Sequence, residues 1–213
     1  MSRLPRRRVR RPRYIGGGNA PEAETLRIGV VSDTHGFFDP CLHELLAGVE
    51  LILHAGDVGK QEVLEELGRI APVQAVRGNV DSPQLGLPLS RTSKFGGVQM
   101  ELLHELPVNQ TELEKWARHE PTEGVAAKRR NTFLRSFDQH TCVVIFGHSH
   151  APAAVTLAGK LFFNPGSAGK QRFSLPRSCG LLDVSEKGVA ATILSLQRYN
   201  STLPEKVWLA VGG

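Results

Sequence analysis

The chain has 213 residues, with 26 Lys and Arg against 21 Asp and Glu, a formal charge of +5 and a pI near 9.4. No apolar run approaches the roughly 18 residues that a membrane-spanning helix needs, and no apolar h-region follows the N-terminal arginines as it would in a secretory signal. Three scattered cysteines (Cys41, Cys142, Cys179) form neither a disulfide framework nor a CxxC knuckle, so buried thiols in a reducing cytoplasm are expected.

The positive charge is not spread evenly. Arg3, Arg6, Arg7, Arg8, Arg10, Arg11 and Arg13 all precede residue 15, and residues 1–20 contain no acid. Setting those seven aside leaves 19 bases against 21 acids, a net of −2. The basicity therefore belongs to residues 1–25, which hold too little apolar surface to offset ordering entropy and are expected to be a disordered arm. Three readings of the arm stay open: a tether to nucleic acid or an anionic surface, an Arg-rich transit peptide, or an over-long start.

A domain over 26–213 follows. Leu26–Val31 is apolar and β-branched, and is predicted to be a buried strand. Apolar spacing predicts a helix over Pro40–Val49, a strand over Leu51–His54, a helix over Gln61–Ile70 and a strand over Val73–Val76. This strand–loop–helix rhythm indicates βαβ units with parallel pairing. Further strands are predicted at Phe95–Leu103 and Thr141–Phe146, then near Ala154–Leu157, Lys160–Phe163, Gly180–Val184 and Val189–Leu196, these last four antiparallel. Between them, Thr111…Glu114 has the form of a capping box, and a helix is predicted over Gly124–Phe137.

Polar residues fall where the strands stop, which is where open α/β sheets bind ligands. Asp33 and His35, Asp57, Asn79, His104, and His148 with His150 together supply two carboxylates, one amide and four imidazoles. That donor mix suits Mn, Fe, Zn, Co or Ni rather than Mg or Ca alone. Seven donors exceed the needs of one such ion but suit two sharing a carboxylate. In Asp33-Thr34-His35 and His148-Ser149-His150 the partners are two apart, so in extended chain both side chains face one way.

These words, in this order, resemble the calcineurin-like metallophosphoesterase superfamily: Ser32-Asp33-Thr34-His35-Gly36, His54-Ala55-Gly56-Asp57-Val58, Arg77-Gly78-Asn79-Val80-Asp81, His104, and Gly147-His148-Ser149-His150. Asn164-Pro165-Gly166-Ser167 and Pro176-Arg177 further resemble its YfcE-type branch. The resemblance implies an α/β fold, a four-layer αββα sandwich with a dinuclear centre at one edge. It implies a first metal on Asp33, His35 and His150, and a second on Asn79, His104 and His148. Asp57 would bridge them, and a metal-activated hydroxide would attack phosphorus in line. Asp57, Asn79 and His104 are thereby the expected catalytic residues. Mn²⁺ is the expected ion, with Ni²⁺, Fe²⁺, Zn²⁺ or Co²⁺ open.

The chain departs from the pattern in three places. Many relatives carry Gly-Asn-His, whose histidine protonates a leaving group; this chain carries Val80, as the YfcE-type branch commonly lacks that histidine. Glu105 stands where the branch usually has glycine, and the stretch between His104 and His148 is longer, with Lys115, Arg118, Lys128, Arg129, Arg130 and Arg135 within it. Those bases are expected either to cover the site or to form a solvated helix face. The expected function is phosphodiester hydrolysis on a small substrate. The rivals are a non-catalytic scaffold, since the fold includes a trafficking-complex subunit, and a nuclease using the basic arm. A homo-oligomer is open. His54 is expected to support the site rather than ligate, and His43, His119 and His140 to be surface or capping residues. Cys142 is expected in the core. Arg172 and Arg177 are either phosphate donors or structural.

Overall fold

The computed structural model describes residues 25–172, 174–196 and 206–209; the arginine-rich segment and the remaining C-terminal residues lie outside them. The first sheet contains β1 (Leu26–Val31), β2 (Leu51–His54), β3 (Val73–Ala75), β9 (Ser178–Ser185), β10 (Gly188–Ser195) and β11 (Lys206–Leu209), in the order β11-β10-β9-β1-β2-β3. The second contains β4 (Ser90–Phe95), β5 (Val98–Leu103), β6 (Thr141–Ile145), β7 (Ala153–Leu157) and β8 (Lys160–Asn164), in the order β4-β5-β6-β8-β7. β1, β2 and β3 run parallel in the first sheet, as do β5, β6 and β8 in the second.

Three apolar layers hold four structural layers together. Between the sheets lie Ile28, Val30, Leu53, Met100, Val143, Ile145, Phe163 and Leu182. Outside the first sheet, Val31 and Ile52 pack with Leu42 and Leu46 around α1 (Leu42–Leu45) and with Val63 and Leu67 of α2 (Gln61–Gly68). Outside the second sheet, Val144 and Phe162 pack with Leu113 and Trp116 of α3 (Gln110–Arg118) and Phe133 of α4 (Gly124–Arg135). Central strands are therefore apolar on both faces, Val143 and Ile145 inward and Val144 outward. Such continuous apolar runs are what made them legible as buried strands. The αββα sandwich is observed.

Several elements differ from expectation. The helix predicted over Pro40–Val49 is reduced to the single turn of α1. The strand predicted over Phe95–Leu103 is broken by Gly96 and Gly97, both at positive φ (+52° and +83°), into the β4–β5 hairpin. A two-residue loop of this kind needs left-handed backbone, which glycine supplies without a Cβ clash. β4 is exposed or half-exposed throughout and polar in sequence, so no apolar signal marks it. The N-cap of α3 is Asn109, whose Oδ1 accepts the Glu112 N–H at 2.8 Å; the helix starts ahead of the predicted Thr111 cap. β8 pairs parallel with β6 as well as antiparallel with β7. Cys179 is buried, whereas Cys41 and Cys142 are only half-buried, Cys142 at the margin of the central layer.

One buried histidine ties the exits of β1 and β2 together. The Gly56 N–H donates to His54 Nδ1 (3.2 Å), so Nε2 carries the proton and donates to Thr34 Oγ1 (2.9 Å). The threonine hydroxyl in turn donates to the Val58 carbonyl (3.0 Å). Burial pushes the His54 pKa down from 6.5 to about 4. The chain of bonds works only with a neutral ring.

Because the folded pKa lies below the unfolded one, the stability tied to a neutral His54 is complete above the unfolded value and is lost as pH falls toward about 4. Between about pH 7.5 and about pH 5 this loss is about 2 kcal/mol. Denaturant unfolding in EDTA at those two pH values checks it: His54→Asn, which keeps an acceptor for Gly56, is expected to show a correspondingly smaller loss than the parent. Equal losses in the two proteins would refute the assignment.

Candidate metal centre

All seven predicted site residues converge at the edge where β1, β2, β3, β5 and β6 end. Asp33 and His35 follow β1, Asp57 follows β2, Asn79 follows β3, His104 follows β5, and His148 and His150 follow β6. Three donor atoms face one another on one side. His35 Nε2 and His150 Nε2 are 3.1 Å apart, and Asp33 Oδ1 is 3.3 Å from His150 Nε2. Three more face one another on the other side, with Asn79 Oδ1 lying 2.9 Å from His104 Nε2 and 3.1 Å from His148 Nδ1. Asp57 stands between, its Oδ2 3.8 Å from His35 Nε2 and its Oδ1 3.4 Å from His104 Nε2. One carboxylate oxygen thus faces each half.

The tautomer of His104 follows from the second contact of its ring. His104 Nδ1 donates to the Ala55 carbonyl at 2.8 Å, which leaves the Nε2 lone pair aimed at Asn79 Oδ1 and Asp57 Oδ1. Buried Asp33 Oδ1 has no hydrogen-bond partner. Acceptors crowded at about 3 Å repel unless a cation or proton lies among them, so the donor set fits divalent metal. A proton on Nε2 is the alternative to a cation there: burial disfavours the doubly protonated His104, yet its hydrogen bond to Asp57 and the Asp33 and Asp57 charges prevail and raise its pKa. Burial also opposes ionised Asp57, but its bonds from His104 and the Val80 N–H hold its pKa low. Burial and then the charge of Arg172 lower the pKa of His35.

The backbone carries strain at this edge. Asp33, His35, Asp57, His148 and His150 have φ between +48° and +68°; among the described residues only Ala158 shares this non-glycine conformation. A left-handed residue with a Cβ costs on the order of 1 kcal/mol, and such strain persists only where surrounding contacts impose it. Strand exits turned in this way redirect side chains that extended backbone would send elsewhere. The pairs Asp33/His35 and His148/His150 therefore reach the site through left-handed turns, not through extended chain as expected: the first pair meets in one half, whereas His148 and His150 go to opposite halves.

The contacts that impose the strain come largely from residues that sequence reading did not place in the site. Asp81 accepts three backbone N–H groups, from Val58 (3.1 Å), Gly59 (2.7 Å) and Gly78 (2.8 Å), clamping the β2 and β3 exits together. Asn164 donates to the Gly147 carbonyl and Ser149 Oγ, both at 2.9 Å, and Gln110 Oε1 accepts from Ser149 Oγ at 2.6 Å, fixing the His148 loop. Ser167 Oγ donates to the Asp33 carbonyl at 2.9 Å. A methyl group at Gly78 would overlap Asp57 Oδ1, and one at Gly147 would overlap Ser32 Oγ. The signal for Asp81 was present in Gly78-Asn79-Val80-Asp81; that for Asn164 lay in Asn-Pro-Gly-Ser.

Arg177 is structural. Its Nε donates to the Gly169 carbonyl (2.5 Å) and its Nη2 to Asp39 Oδ2 (2.6 Å), which leaves little for a ligand. Arg172 is exposed. Of the bases between His104 and His148, Arg118 pairs with Glu114 and Arg129 with Glu112 on a solvated face, while Arg130, largely buried, pairs with Glu120; Arg129 also lines a cleft beside His148. His43, His119 and His140 are exposed, as expected.

Asp81→Ala would leave three N–H groups without their acceptor. It is expected to destabilise the fold by about 3 kcal/mol and to weaken Mn²⁺ binding, with Asp81→Asn intermediate; denaturant unfolding and metal titration of the three proteins check this. Stability loss without any change in metal affinity would show that the clamp does not shape the centre.

Comparison with known proteins agrees with this geometry. Residues 26–187 match the family model of the calcineurin-like phosphoesterase superfamily domain. A probable metallophosphoesterase of Methanocaldococcus jannaschii is 30% identical over 168 residues, covering 76% of this chain and 78% of that protein. Among solved structures, Chaetomium thermophilum Vps29 superposes with a TM-score of 0.66 at 20% identity, covering 87% of this chain and 97% of that one. The Escherichia coli phosphoesterase YfcE superposes with a TM-score of 0.56 at 21% identity, covering 86% and 100%. With its family model spanning most of the sequence and the sandwich and strand-end donors in place, the chain belongs to the calcineurin-like phosphoesterase superfamily.

Proposed function

We propose that this chain is a cytoplasmic phosphodiesterase that works with two divalent ions, Mn²⁺ foremost, on small phosphodiesters. One observation carries the reading: two triads of facing donor atoms, with one oxygen of Asp57 turned toward each. Asp33, His35 and His150 would hold one ion and Asn79, His104 and His148 the other, with Asp57 shared. Four imidazoles among seven donors favour a first-row transition metal, with Ni²⁺, Fe²⁺, Zn²⁺ and Co²⁺ as alternatives. Such a pair of ions, when bound, makes water nucleophilic near neutral pH and offsets charge on the phosphoryl oxygens.

The chain's own residues set the rest. Only two of the seven donors are carboxylates, and neutral Asn79 adds no third negative charge, so the loaded centre stays cationic and attracts an anionic ester. His104, fixed by the Ala55 carbonyl, holds its Nε2 in one direction. Val80, 56% exposed, occupies the place of the leaving-group acid in the Gly-Asn-His relatives and has no proton to give. Substrates with good leaving groups are favoured accordingly. Clefts of about 570 and 550 Å³ flank the His104–His148 half, one beside His148 and one beside Asn79 and His104. Two clefts suit the two ester arms of a diester, where a monoester has one.

The Vps29 likeness raises a scaffold reading, but at 20% identity it speaks for the fold alone. The full donor set favours catalysis. Hydrolysis of bis(p-nitrophenyl) phosphate and p-nitrophenyl phosphate with Mn²⁺ tests the proposal. The diester is expected to turn over faster, EDTA to abolish activity, and Asp57→Ala to lower the rate by roughly a thousandfold, about 4 kcal/mol of barrier. Absence of metal-dependent turnover of either ester, or a preference for glycerol phosphate, would overturn the proposal.

A further inference from the structure

We propose that Glu105 is a charge filter at the mouth of the centre, favouring phosphate esters that carry one negative charge, or a cationic arm, over dianionic and polyanionic phosphates. The inference rests on the phosphodiesterase reading and narrows its substrate class to small diesters whose arm beside Glu105 is neutral or cationic.

Glu105 follows His104 directly at the end of β5, and its side chain is 60% exposed. Its Oε1 lies 3.6 Å from His148 Nε2. The other nitrogen of that ring, Nδ1, is the atom 3.1 Å from Asn79 Oδ1. The carboxylate therefore stands one imidazole ring away from the donor atoms of the Asn79–His104–His148 half. It also lines both clefts, so an ester arm entering either one passes it.

Other charges nearby do not cancel it. In the cleft beside His148 the cation is Arg129, already paired with Glu112 at 2.9 Å. The rest of that wall includes Leu106, Pro107 and Val108, which suit an uncharged arm. The other cleft is lined by one base, Arg77, and by three acids, Glu101, Asp81 and Glu105, of which Asp81 is engaged by its three N–H donors. Repulsion of the wrong ligand is an efficient source of selectivity where attraction to the metals is common to all phosphates. Across about 7 Å of hydrated cleft, a unit charge changes affinity by about threefold and a double charge by about the square of that.

Glu105→Gln removes the charge and keeps the shape. On Mn²⁺-loaded protein near pH 8, calorimetric titration with inorganic phosphate (largely dianionic) and dimethyl phosphate (monoanionic) gives a readout independent of turnover. The variant is expected to bind phosphate about tenfold tighter and dimethyl phosphate about threefold tighter, with the difference shrinking at about 0.5 M salt. The ratio of p-nitrophenyl phosphate to bis(p-nitrophenyl) phosphate hydrolysis should rise alongside, and p-nitrophenylphosphorylcholine should lose ground to the uncharged-arm diester. Equal changes for both anions, binding of neither, or a fall in Mn²⁺ affinity that marks Glu105 as a positioning residue for His148 would each overturn the filter. If the parent hydrolyses no ester but the anion ratio still shifts, the filter stands and the phosphodiesterase reading falls. If diesters are hydrolysed and the ratio stays fixed, the filter alone falls.

Discussion

Lone pairs that face one another at about 3 to 4 Å repel, and the edge of this molecule holds seven candidate donors in that arrangement. His35 and His150 present nitrogens to each other, and Asn79 presents one oxygen to two imidazoles. No folding preference of the individual loops produces this. It is sustained by two packed sheets whose parallel strands end at the same edge, so that the apolar layer between them sets the distance between the β1–β3 exits and the β5–β6 exits. A cation among the donors would turn the repulsion into attraction, which ties metal binding to the stability of these loops.

The cost of the arrangement is visible in the backbone. Five donors occupy left-handed conformations that glycine would adopt more readily. In the proposed centre glycine could not replace them, because their side chains would be the metal ligands. The flanking positions carry the glycines instead: Gly78 and Gly147 leave room beside Asp57 and Ser32 that a methyl group would fill. Buried hydrogen bonds to Asp81 and from His54, Asn164 and Ser167 hold the turned exits in register with their neighbours. Such bonds are strong because water is absent, and costly to leave unmade for the same reason.

The site also differs in character from one side to the other. The His35–His150 half lies deep, with His150 buried, while His148 is 44% exposed and adjoins both Glu105 and a cleft. Glu105 therefore acts mainly on whatever approaches the His104–His148 half, whereas the charge of Arg172 reaches His35. The segment between His104 and His148 contributes here through its first residues, Glu105 to Gln110, and through Arg129. Of its remaining bases, Arg118 pairs with Glu114 of its own helix and Arg130 with Glu120 in the loop before α4.

Much of this was legible in sequence because the physical signals were local. Apolar β-branched runs marked the central strands, and the polar residues in the loops just beyond them marked the donors. Signals failed where structure depends on partners distant in the chain. β4 is a polar edge strand defined by pairing with β5, and β11 by pairing with β10. Arg177 could be read two ways until Asp39 and the Gly169 carbonyl were found beside it. Asp81 showed its place in the motif but not its three N–H partners. Donor identity and order were thus set by sequence alone, because chemistry resides in side-chain type. Which oxygen of Asp57 faces which half, which nitrogen of His104 is free, and which charges stand beside the donors were decided only by tertiary structure, because those depend on loops meeting across two sheets.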